Sequence, residues 1–473
     1  MILLSVLIGV SMNAALGFAS LRLLRFPITQ WAGRMVYVVT AYLLGQLITS
    51  AIYFVMLLIH PTDDCYWLWV ELILLVGLLL AGRGKSIRSL PIAKPVSFSV
   101  MCGMVWLVAL AGILVIALTV TSLSKATPYG FWDALAMWNL RVAYLAQPTD
   151  AWRQIFSNDV QHPDYPLLHS ISAARLCAWH GSWDSTLTLW FGFGHAMMTL
   201  LLIIGLTLHC VGVWAASLLL LLMFGASHWW GMAAWQRADH TVGSYMTLSV
   251  VLLWLFVQKS SEQRDTNKAL LILLAMMTGA CAWAKNEGWP WVISVSLLVM
   301  FSALRHATKR QILQYALVWI GGLVVVLWMP LLVHAMAVVS NDLFVTPTES
   351  TFSERLLDWH RTRQIVVQVS QFFYGEYSLW SLIFLGMWIL SCQPWQNRFQ
   401  SHAAVSVLLV VILQILSYLF VYQITPHDLS WHIITSSNRL VLQIWPALLL
   451  GSVLLVTPTP VIKKPVSDNW VNE

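Results

Sequence analysis

Charged side chains are scarce in this sequence. Asp, Glu, Lys and Arg together make up only 10% of the 473 residues, whereas 59% of the residues are hydrophobic. So few charges could not keep a soluble domain of this composition in water. The composition therefore excludes an ordinary soluble protein and predicts an all-α chain that crosses a membrane many times. Membrane lipids are expected partners, and nucleic acid is not.

Cysteines are few as well, and they are scattered singly. The sequence has no CxxC pair and no His/Cys cluster. Both a disulfide framework and a zinc site of the usual spacing are therefore excluded from the prediction. The six cysteines are Cys65, Cys102, Cys177, Cys210, Cys281 and Cys392.

The amino terminus lacks the basic segment of a cleaved signal peptide. Residues 1–12 carry no charged side chain, so this stretch is predicted to be a first membrane span. Thirteen apolar segments reach or approach the roughly 20 residues that a helix needs to cross a bilayer. Several are short, so eleven to fourteen spans are compatible with the sequence. The candidates are 2–21, 36–59, 66–82, 97–122, 185–207, 211–230, 240–258, 269–283, 288–304, 312–338, 377–391, 402–422 and 439–457.

Basic residues are unequally distributed between alternate loops. One set of loops holds 16 of the 26 Lys and Arg residues but only four of the 20 acidic residues. The positive-inside rule makes that set cytoplasmic. The prediction is an external amino terminus and a cytoplasmic tail at 458–473. The external loops would be 123–184, 231–239, 339–376 and 423–438, and any chemistry is expected on them.

The first external loop contains a long polar stretch, Tyr129–Leu168. Ordered loops of this length are uncommon unless they have a function. Apolar residues at 131, 135, 138, 142 and 145 predict an amphipathic helix lying in the membrane interface. Asp133 falls in its first turn, whereas Arg141 and Tyr144 lie off the apolar stripe. Two interpretations of Asp133 stay open: a catalytic base, or a carboxylate that complements the helix dipole.

Other external segments place cations at the rim of the membrane. Arg237 and Asp239 stand between two spans, where a snorkelling arginine and a helix N-cap are the alternatives to a binding role. Lys285 and Glu287 stand in a junction with almost no loop, where a structural ion pair is the alternative. Arg439 leads into the last predicted span. Three such cations suit a phosphate in the headgroup layer, and ionisable groups at a membrane are functional candidates by default.

A few further residues complete the candidates. His162, Asp164 and Tyr165 are possible loop or acceptor contacts, although HPDYP is also a turn that starts a helix. His432 is a candidate of the same kind, whereas Asp358–Arg363 is interpreted as a solvated helix face. His195, inside a span, is predicted to hydrogen-bond to a neighbouring helix. No DxD motif lies near Asp133, so the prediction is no cofactor and no metal site, with a divalent metal left open.

Together these motifs resemble the GT-C superfamily of polyprenyl-phosphate-sugar-dependent glycosyltransferases, which includes bacterial protein O-mannosyltransferases and aminoarabinose transferases. The similar features are Asp133 in YGFWDALAMWNL, Ala238-Asp239 before a span, Lys285-Asn286-Glu287-Gly288 at a tight junction, Arg439 followed by Pro446, and His162–Leu168 before a helix. The resemblance covers about 97–457 and leaves 1–96, with three spans, as an additional module. The chain departs from the family in lacking an acidic pair beside Asp133 and a soluble C-terminal domain.

The resemblance implies a GT-C-like fold and a sugar, hexose or pentose, carried on undecaprenyl or dolichyl phosphate. The acceptor would be a hydroxyl of a glycan, lipid or protein, and transfer would invert the sugar carbon. Asp133 would take the acceptor proton, and Lys285, Arg439 and Arg237 would stabilise the phosphate. Asp239 and Glu287 would contact the donor. The implied location is the bacterial inner (plasma) membrane, with the active site on the periplasmic or external face.

Two other functions stay open. An O-antigen ligase or polymerase also uses lipid-linked donors, but we expect it to rely on Arg and His in one large late loop. Here the long loop precedes the fifth span. A lipid or solute transporter should carry charges near the middle of its spans and broken helices at corresponding places in two halves. Only Glu71 and His195 are candidates for such mid-span groups, and no paired halves are visible.

Overall fold

The computed structural model describes residues 2–26, 31–61, 65–85, 100–147, 149–258, 264–338, 351–376 and 402–456. Every regular element within these ranges is helical. The α-helices are α1 (Ile2–Leu23), α2 (Trp31–Ile59), α3 (Tyr66–Ala81), α4 (Val100–Ala126), α5 (Leu140–Leu145), α6 (Leu168–His180), α7 (Ser185–Cys210), α8 (Val213–Gly225), α9 (Ser227–Ala234), α10 (Asp239–Gln258), α11 (Arg264–Ala284), α12 (Gly288–His306), α13 (Lys309–Met336), α14 (Phe352–Leu357), α15 (Trp359–Glu376), α16 (His402–Ile424) and α17 (Leu429–Val456). A π-helix, Ala134–Asn139, leads into α5, and a 3-10 helix, Asp150–Phe156, follows it.

The described helices make this a helical polytopic membrane protein. Eight of them, α1, α2, α7, α10, α12, α13, α16 and α17, are long and apolar enough to cross a membrane. The pair α8 and α9 adds a ninth if it is counted as one span, and α3, α11 and part of α4 are shorter apolar helices. Helices lie over twelve of the thirteen predicted segments. The remaining segment, 377–391, and the tail 458–473 lie outside the described residues, so thirteen spans and the orientation stay predictions.

The segment predicted as one span at 211–230 consists of two helices. α8 ends at Gly225, α9 begins at Ser227, and the two helices are bent by 61°. Gly and Ser are weak helix formers, which favours a break at this place. The indole N–H of Trp230 donates to the carbonyl of Met223 at 2.9 Å, and the same carbonyl accepts from the backbone N–H of Ala226 at 3.3 Å. Hydropathy does not register such a break, because both sides of it are apolar.

The centre of the bundle is α10. Nearly all of its residues are buried, and it packs against α7, α11, α16 and α17. The leading helices join the same core, since the hydroxyl of Tyr245 in α10 donates to the carbonyl of Leu43 in α2 at 3.0 Å. On the α7 side, His195 Nδ1 lies 2.7 Å from the hydroxyl oxygen of Ser244. This contact confirms the prediction that His195 hydrogen-bonds to a neighbouring helix.

A buried ion pair connects α3 to α6. The Arg175 guanidinium donates twice to Glu71, at 2.6 and 2.5 Å, and once to Asn13 of α1, at 3.2 Å. Glu71 and Arg175 are almost completely inaccessible. The sequence placed residue 175 in an external loop, whereas α6 is buried among α1, α2 and α5. The mid-span carboxylate Glu71 is therefore paired within the bundle.

Replacing Arg175 with Met should strongly destabilise the protein. The substitution leaves Glu71 as a buried charge without its partner, which typically costs about 3–5 kcal/mol. Adding Glu71→Leu should recover most of this loss. The melting temperature of the purified protein in detergent is the measurement. Arg153→Met is the matched control, because Arg153 pairs with Asp150 at 3.5 Å on the surface, where such pairs contribute little. Equal melting of the two Met variants would contradict the role of burial.

Candidate active site

Asp133 stands directly before the π-helix Ala134–Asn139. The side-chain amide of Asn139, at the end of the π-helix, donates to the carbonyl of Tyr129 at 2.9 Å and to the side chain of Gln236 at 2.7 Å. These bonds fix the segment both to its own start and to the loop before α10. Asp133 is thus held against the neighbouring loop, and π-helical turns are often found at functional sites.

The helical prediction for 131–145 is confirmed, but its apolar face is partly wrong. Trp138, Val142 and Leu145 are buried as expected, whereas Phe131 and Leu135 are about half exposed, at 49% and 51%. Arg141, predicted off the buried stripe, is completely inaccessible. The wider i→i+5 turn of the π-helix changes the angular relation between the residues before it and those after it, so one α-helical stripe cannot describe both ends of the segment.

The buried Arg141 holds the HPDYP segment. Its guanidinium donates to the carbonyls of Gln161 and His162. Burial lowers the pKa of Arg141 to about 10, with Tyr165 and Asp164 opposing the shift, so the side chain stays charged at neutral pH. His162 has a φ of +51°, which is uncommon for a residue other than Gly. Its ring packs against that of Tyr165, with centroids 4.7 Å apart.

Arg237 lies beside Asp133 and is surrounded by aromatic rings. Its guanidinium carbon is 5.1 Å from the ring centroid of Trp235 and 5.4 Å from that of Phe131, which favours a cation. Its Nη2 is 3.9 Å from Oδ2 of Asp133. The loop is fixed by Gln236, which has a φ of +55° and donates to the carbonyl of Pro128 at 3.2 Å. Burial lowers the pKa of Arg237, and the Asp133 carboxylate opposes this effect.

Lys285 occupies the predicted tight junction between α11 and α12. A side chain at Gly288 would place its Cβ 2.1 Å from the carbonyl carbon of Cys281, so only Gly fits there. The Lys285 ammonium donates to Asp239 at 2.9 Å and to Glu287 at 2.8 Å. Burial opposes the charge of Lys285, but these two carboxylates outweigh it and raise its pKa. The structural ion pair between Lys285 and Glu287 that the sequence left open is therefore present, and Asp239 is a second carboxylate bound to the same ammonium.

Arg439 is the second arginine that contacts Asp133. The last span was predicted to begin at Arg439, but α17 begins at Leu429, so Arg439 lies about three turns inside the helix. Hydropathy missed these turns because they are polar. The Arg439 guanidinium donates to Oδ2 of Asp133, the same oxygen that Arg237 approaches. Side-chain exposure is 20% for Arg439 and 25% for Asp133, so both can reach a ligand.

A cavity of about 710 Å³ lies where these segments meet. Its volume is in the range of small-molecule sites. Seven of the predicted site residues line it: Asp133, His162, Tyr165, Arg237, Lys285, Glu287 and Arg439. Further lining residues were not predicted from the sequence, namely Phe131, Trp132, Met137, Gln161, Trp235, His427, Trp431, Ile434, Thr435 and Asn438. Many of these are aromatic or apolar neighbours of charged residues, which hydropathy alone assigns to the membrane interface.

Three predicted site residues do not line the cavity. Asp239 lies behind Lys285, where its Oδ1 also accepts a hydrogen bond from Gln443 at 2.7 Å. Asp164 is buried with its carboxylate 3.9 Å from Nδ1 of His334, because the turn at His162 directs neighbouring side chains to different sides. His432 lies 2.9 Å from the hydroxyl of Thr425, one helical face away from the lining residue Trp431.

The cavity carries more positive than negative groups. Three cations, Arg237, Lys285 and Arg439, line it together with two carboxylates, Asp133 and Glu287. The Nε atoms of Arg237 and Arg439 are buried, and no residue in the described ranges accepts a hydrogen bond from either. Buried donors of this kind normally have an acceptor. The arrangement can bind an anion beside a carboxylate that is able to accept a proton.

The described residues offer no metal site beside this cavity, and no known protein matches the chain. Among the described residues, no group of three or more His, Cys, Asp or Glu side chains could hold a metal ion. Asp63 and Asp64 lie outside those residues. Comparison with known proteins gives no family model, no curated protein and no solved structure that matches the chain.

Proposed function

We propose that this protein is a membrane glycosyltransferase that moves a sugar from a polyprenyl-phosphate donor to a hydroxyl acceptor. The single observation that carries the proposal is the meeting of Asp133 with Arg237, Lys285 and Arg439 in one cavity. These residues come from three separate junctions and one helix, so no local structural need brings them together. A carboxylate close to several cations suits a reaction in which one group loses a proton and negative charge develops on another group.

The cations would bind the donor phosphate. Arginine presents a planar fork that matches phosphate oxygens, and lysine adds a compact charge. Arg439 is partly exposed and lines the cavity with Arg237 and Lys285, so a phosphate there would meet all three cations. Exposed apolar side chains, Trp132, Trp431 and Ile434, also line the cavity and suit a ligand with an apolar tail. A lipid-linked phosphate fits both features, because its headgroup is charged and its chain can lie among lipids.

Asp133 would act as the general base. Arg237 and Arg439 both address its Oδ2, and among the described residues no hydrogen bond reaches Oδ1. In the proposed step, Asp133 takes the proton of the acceptor hydroxyl, and the oxygen forms a bond to the sugar carbon. The bond between that carbon and the phosphate oxygen breaks, and its electron pair stays on the released polyprenyl phosphate. Attack opposite to the leaving group inverts the sugar carbon, and the cations stabilise the phosphate.

The proposal includes membership of the GT-C superfamily and an active site on the external face. The order of motifs along the sequence supports the first, and the charge distribution between loops supports the second. Tyr165 and His162 would contact the acceptor or the sugar, since both line the cavity beside Met137. Glu287, 24% exposed, would contact the donor in addition to its bond with Lys285.

Consumption of lipid-linked sugars by the purified protein in detergent tests the proposal. The assay offers a panel of polyprenyl-phosphate sugars, with crude envelope lipid as acceptor, in the presence and absence of EDTA. We expect release of polyprenyl phosphate from at least one donor, unchanged by EDTA. If no donor is consumed and none binds, the glycosyltransferase is excluded and transport becomes the function to test. Loss of activity in EDTA would contradict the metal-independent form of the reaction.

A further inference from the structure

A chain of hydrogen bonds leads from α16 through α17 to Lys285. The hydroxyl of Tyr418 donates to the side-chain carbonyl of Gln443 at 2.9 Å. The amide nitrogen of Gln443 donates to Oδ1 of Asp239 at 2.7 Å. The same oxygen accepts from the Lys285 ammonium at 2.9 Å. The chain therefore connects three helices to the junction before α12. Of its four side chains, only that of Lys285 lines the cavity.

Gln443 is buried and has both ends of its amide occupied. Its side chain is inaccessible, and its backbone packs closely against α10, since a Cβ added at Gly243 would lie 3.2 Å from the carbonyl oxygen of Gln443. An amide adds a donor to Asp239 without adding charge. It therefore fixes the direction of the carboxylate while leaving the attraction between Asp239 and Lys285 unchanged.

We propose that Gln443 is a positioning residue that holds Asp239 so that the ammonium of Lys285 stays at the cavity wall. An ammonium has three N–H groups, and two of them are used by Asp239 and Glu287. The third is available to a ligand only while Asp239 and Glu287 hold the nitrogen between them. Without Gln443, the Asp239 carboxylate is free to rotate, and Lys285 follows it away from the cavity. The inference rests on the proposed function, because it assigns Lys285 to an anionic ligand.

The test measures the binding of farnesyl phosphate to the full-length purified protein in detergent, so it does not depend on sugar transfer. Gln443→Leu removes both hydrogen bonds without adding charge. Gln443→Glu keeps the shape, and its carboxyl can donate to Asp239 only when protonated. The charged or titratable groups around position 443 are Asp239, His169 and His240, Lys285 and Glu287, Tyr418, and Arg439 on α17 itself.

We expect Gln443→Leu to weaken binding about tenfold at every pH, which is the usual effect of losing a hydrogen bond to a charged group. Burial and the adjacent Asp239 carboxylate should raise the pKa of the carboxyl that Gln443→Glu introduces above its usual value of about 4.3. We therefore expect this variant to bind like the wild type near about pH 5 and about tenfold more weakly near about pH 8. The rise in Kd follows ionisation, which replaces the donor by a like charge. A merely structural role would not produce this pH-dependent step.

Gln46 supplies the matched control. It is a buried glutamine of α2 that donates to Ser172 at 3.1 Å, far in sequence from the cavity residues. Gln46→Glu should show no pH-dependent step in farnesyl phosphate binding. If the wild type binds and both Gln443 variants bind equally well at all pH values, the positioning role is overturned while the phosphate site stands. If the wild type itself does not bind farnesyl phosphate, the phosphate site and the positioning role are both overturned.

Discussion

Asp133→Asn is expected to lower the turnover of lipid-linked sugar by a factor of about 10² to 10⁴, the usual contribution of a general base. The substitution keeps the size of the side chain and an oxygen that can accept from Arg439. It removes the charge and the ability to take a proton from the acceptor. The measurement is the rate at which the purified variant releases polyprenyl phosphate, compared with the wild type.

The same variant should bind the donor at least as tightly as the wild type does. In the free protein, the Asp133 carboxylate contacts Arg439 and lies near Arg237, so it competes with phosphate for the same cations. Removing its charge should leave the KM for the donor unchanged or lower it. A fall in kcat without a rise in KM indicates an interaction made mainly in the transition state.

The matched control for Asp133→Asn is Asp159→Asn. Asp159 belongs to the same predicted external loop and is exposed, but it does not line the cavity. The control therefore makes the same Asp→Asn change away from the proposed site. We expect wild-type turnover for this control. Turnover of Asp133→Asn within a few-fold of the wild type would show that Asp133 is a counterion of the two arginines rather than the base.

The charged residues singled out in the sequence line one cavity, and there is a physical reason why they could be recognised. Ionisable groups are rare in an apolar chain, because placing them at a membrane is costly. The few that stand at helix junctions on one predicted face were therefore informative. Arg237, Lys285 and Arg439 lie more than 40 residues apart in sequence, yet all three line the cavity with Asp133. The tight junction before Gly288 could be recognised for the same reason, because the charged residues Lys285 and Glu287 lie between two apolar segments with almost no loop.

What the sequence did not predict depends on local geometry and on neutral side chains. The π-helix turned Arg141 inward, and periodicity assumes an α-helix. Asp239 lies behind Lys285 and not at the cavity wall, because Gln443 and Lys285 both bind its carboxylate. Gln443 was not predicted, because it is neutral and lies within a predicted span, whereas the predictions followed charged residues at helix junctions. The burial of Arg175 needed α3, α6 and α1 to meet, and no local pattern specifies that meeting.

Arg439→Gln is expected to have the second large effect. The variant should raise the KM for the donor about ten- to hundredfold, because it removes a charged hydrogen bond to phosphate. It should also lower kcat, by up to about 10²-fold, because negative charge develops on the phosphate oxygen as the sugar bond breaks. Arg439→Lys keeps the charge but not the planar fork, so its loss should be smaller without vanishing.

Arg439 gives a cleaner test of the phosphate site than Lys285. Lys285 is only 3% exposed and bridges Asp239 and Glu287, so its removal leaves the buried Asp239 carboxylate without its cationic partner and destabilises the fold. Arg439 and Asp133 are partly exposed instead, and Arg237 remains near Asp133 when Arg439 is lost. A normal melting temperature together with lost donor binding therefore separates function from folding.

The control for Arg439→Gln is Arg363→Gln, an exposed arginine of α15 on another predicted external loop. Both variants remove one positive charge from the same predicted face, so general attraction of an anionic lipid to that face falls equally. Only Arg439→Gln should lose donor affinity at physiological ionic strength, where charges separated by more than about 8 Å are largely screened. If the two variants lose affinity to the same extent, the donor is attracted by the face as a whole. The cavity cations would then have no specific role in binding it.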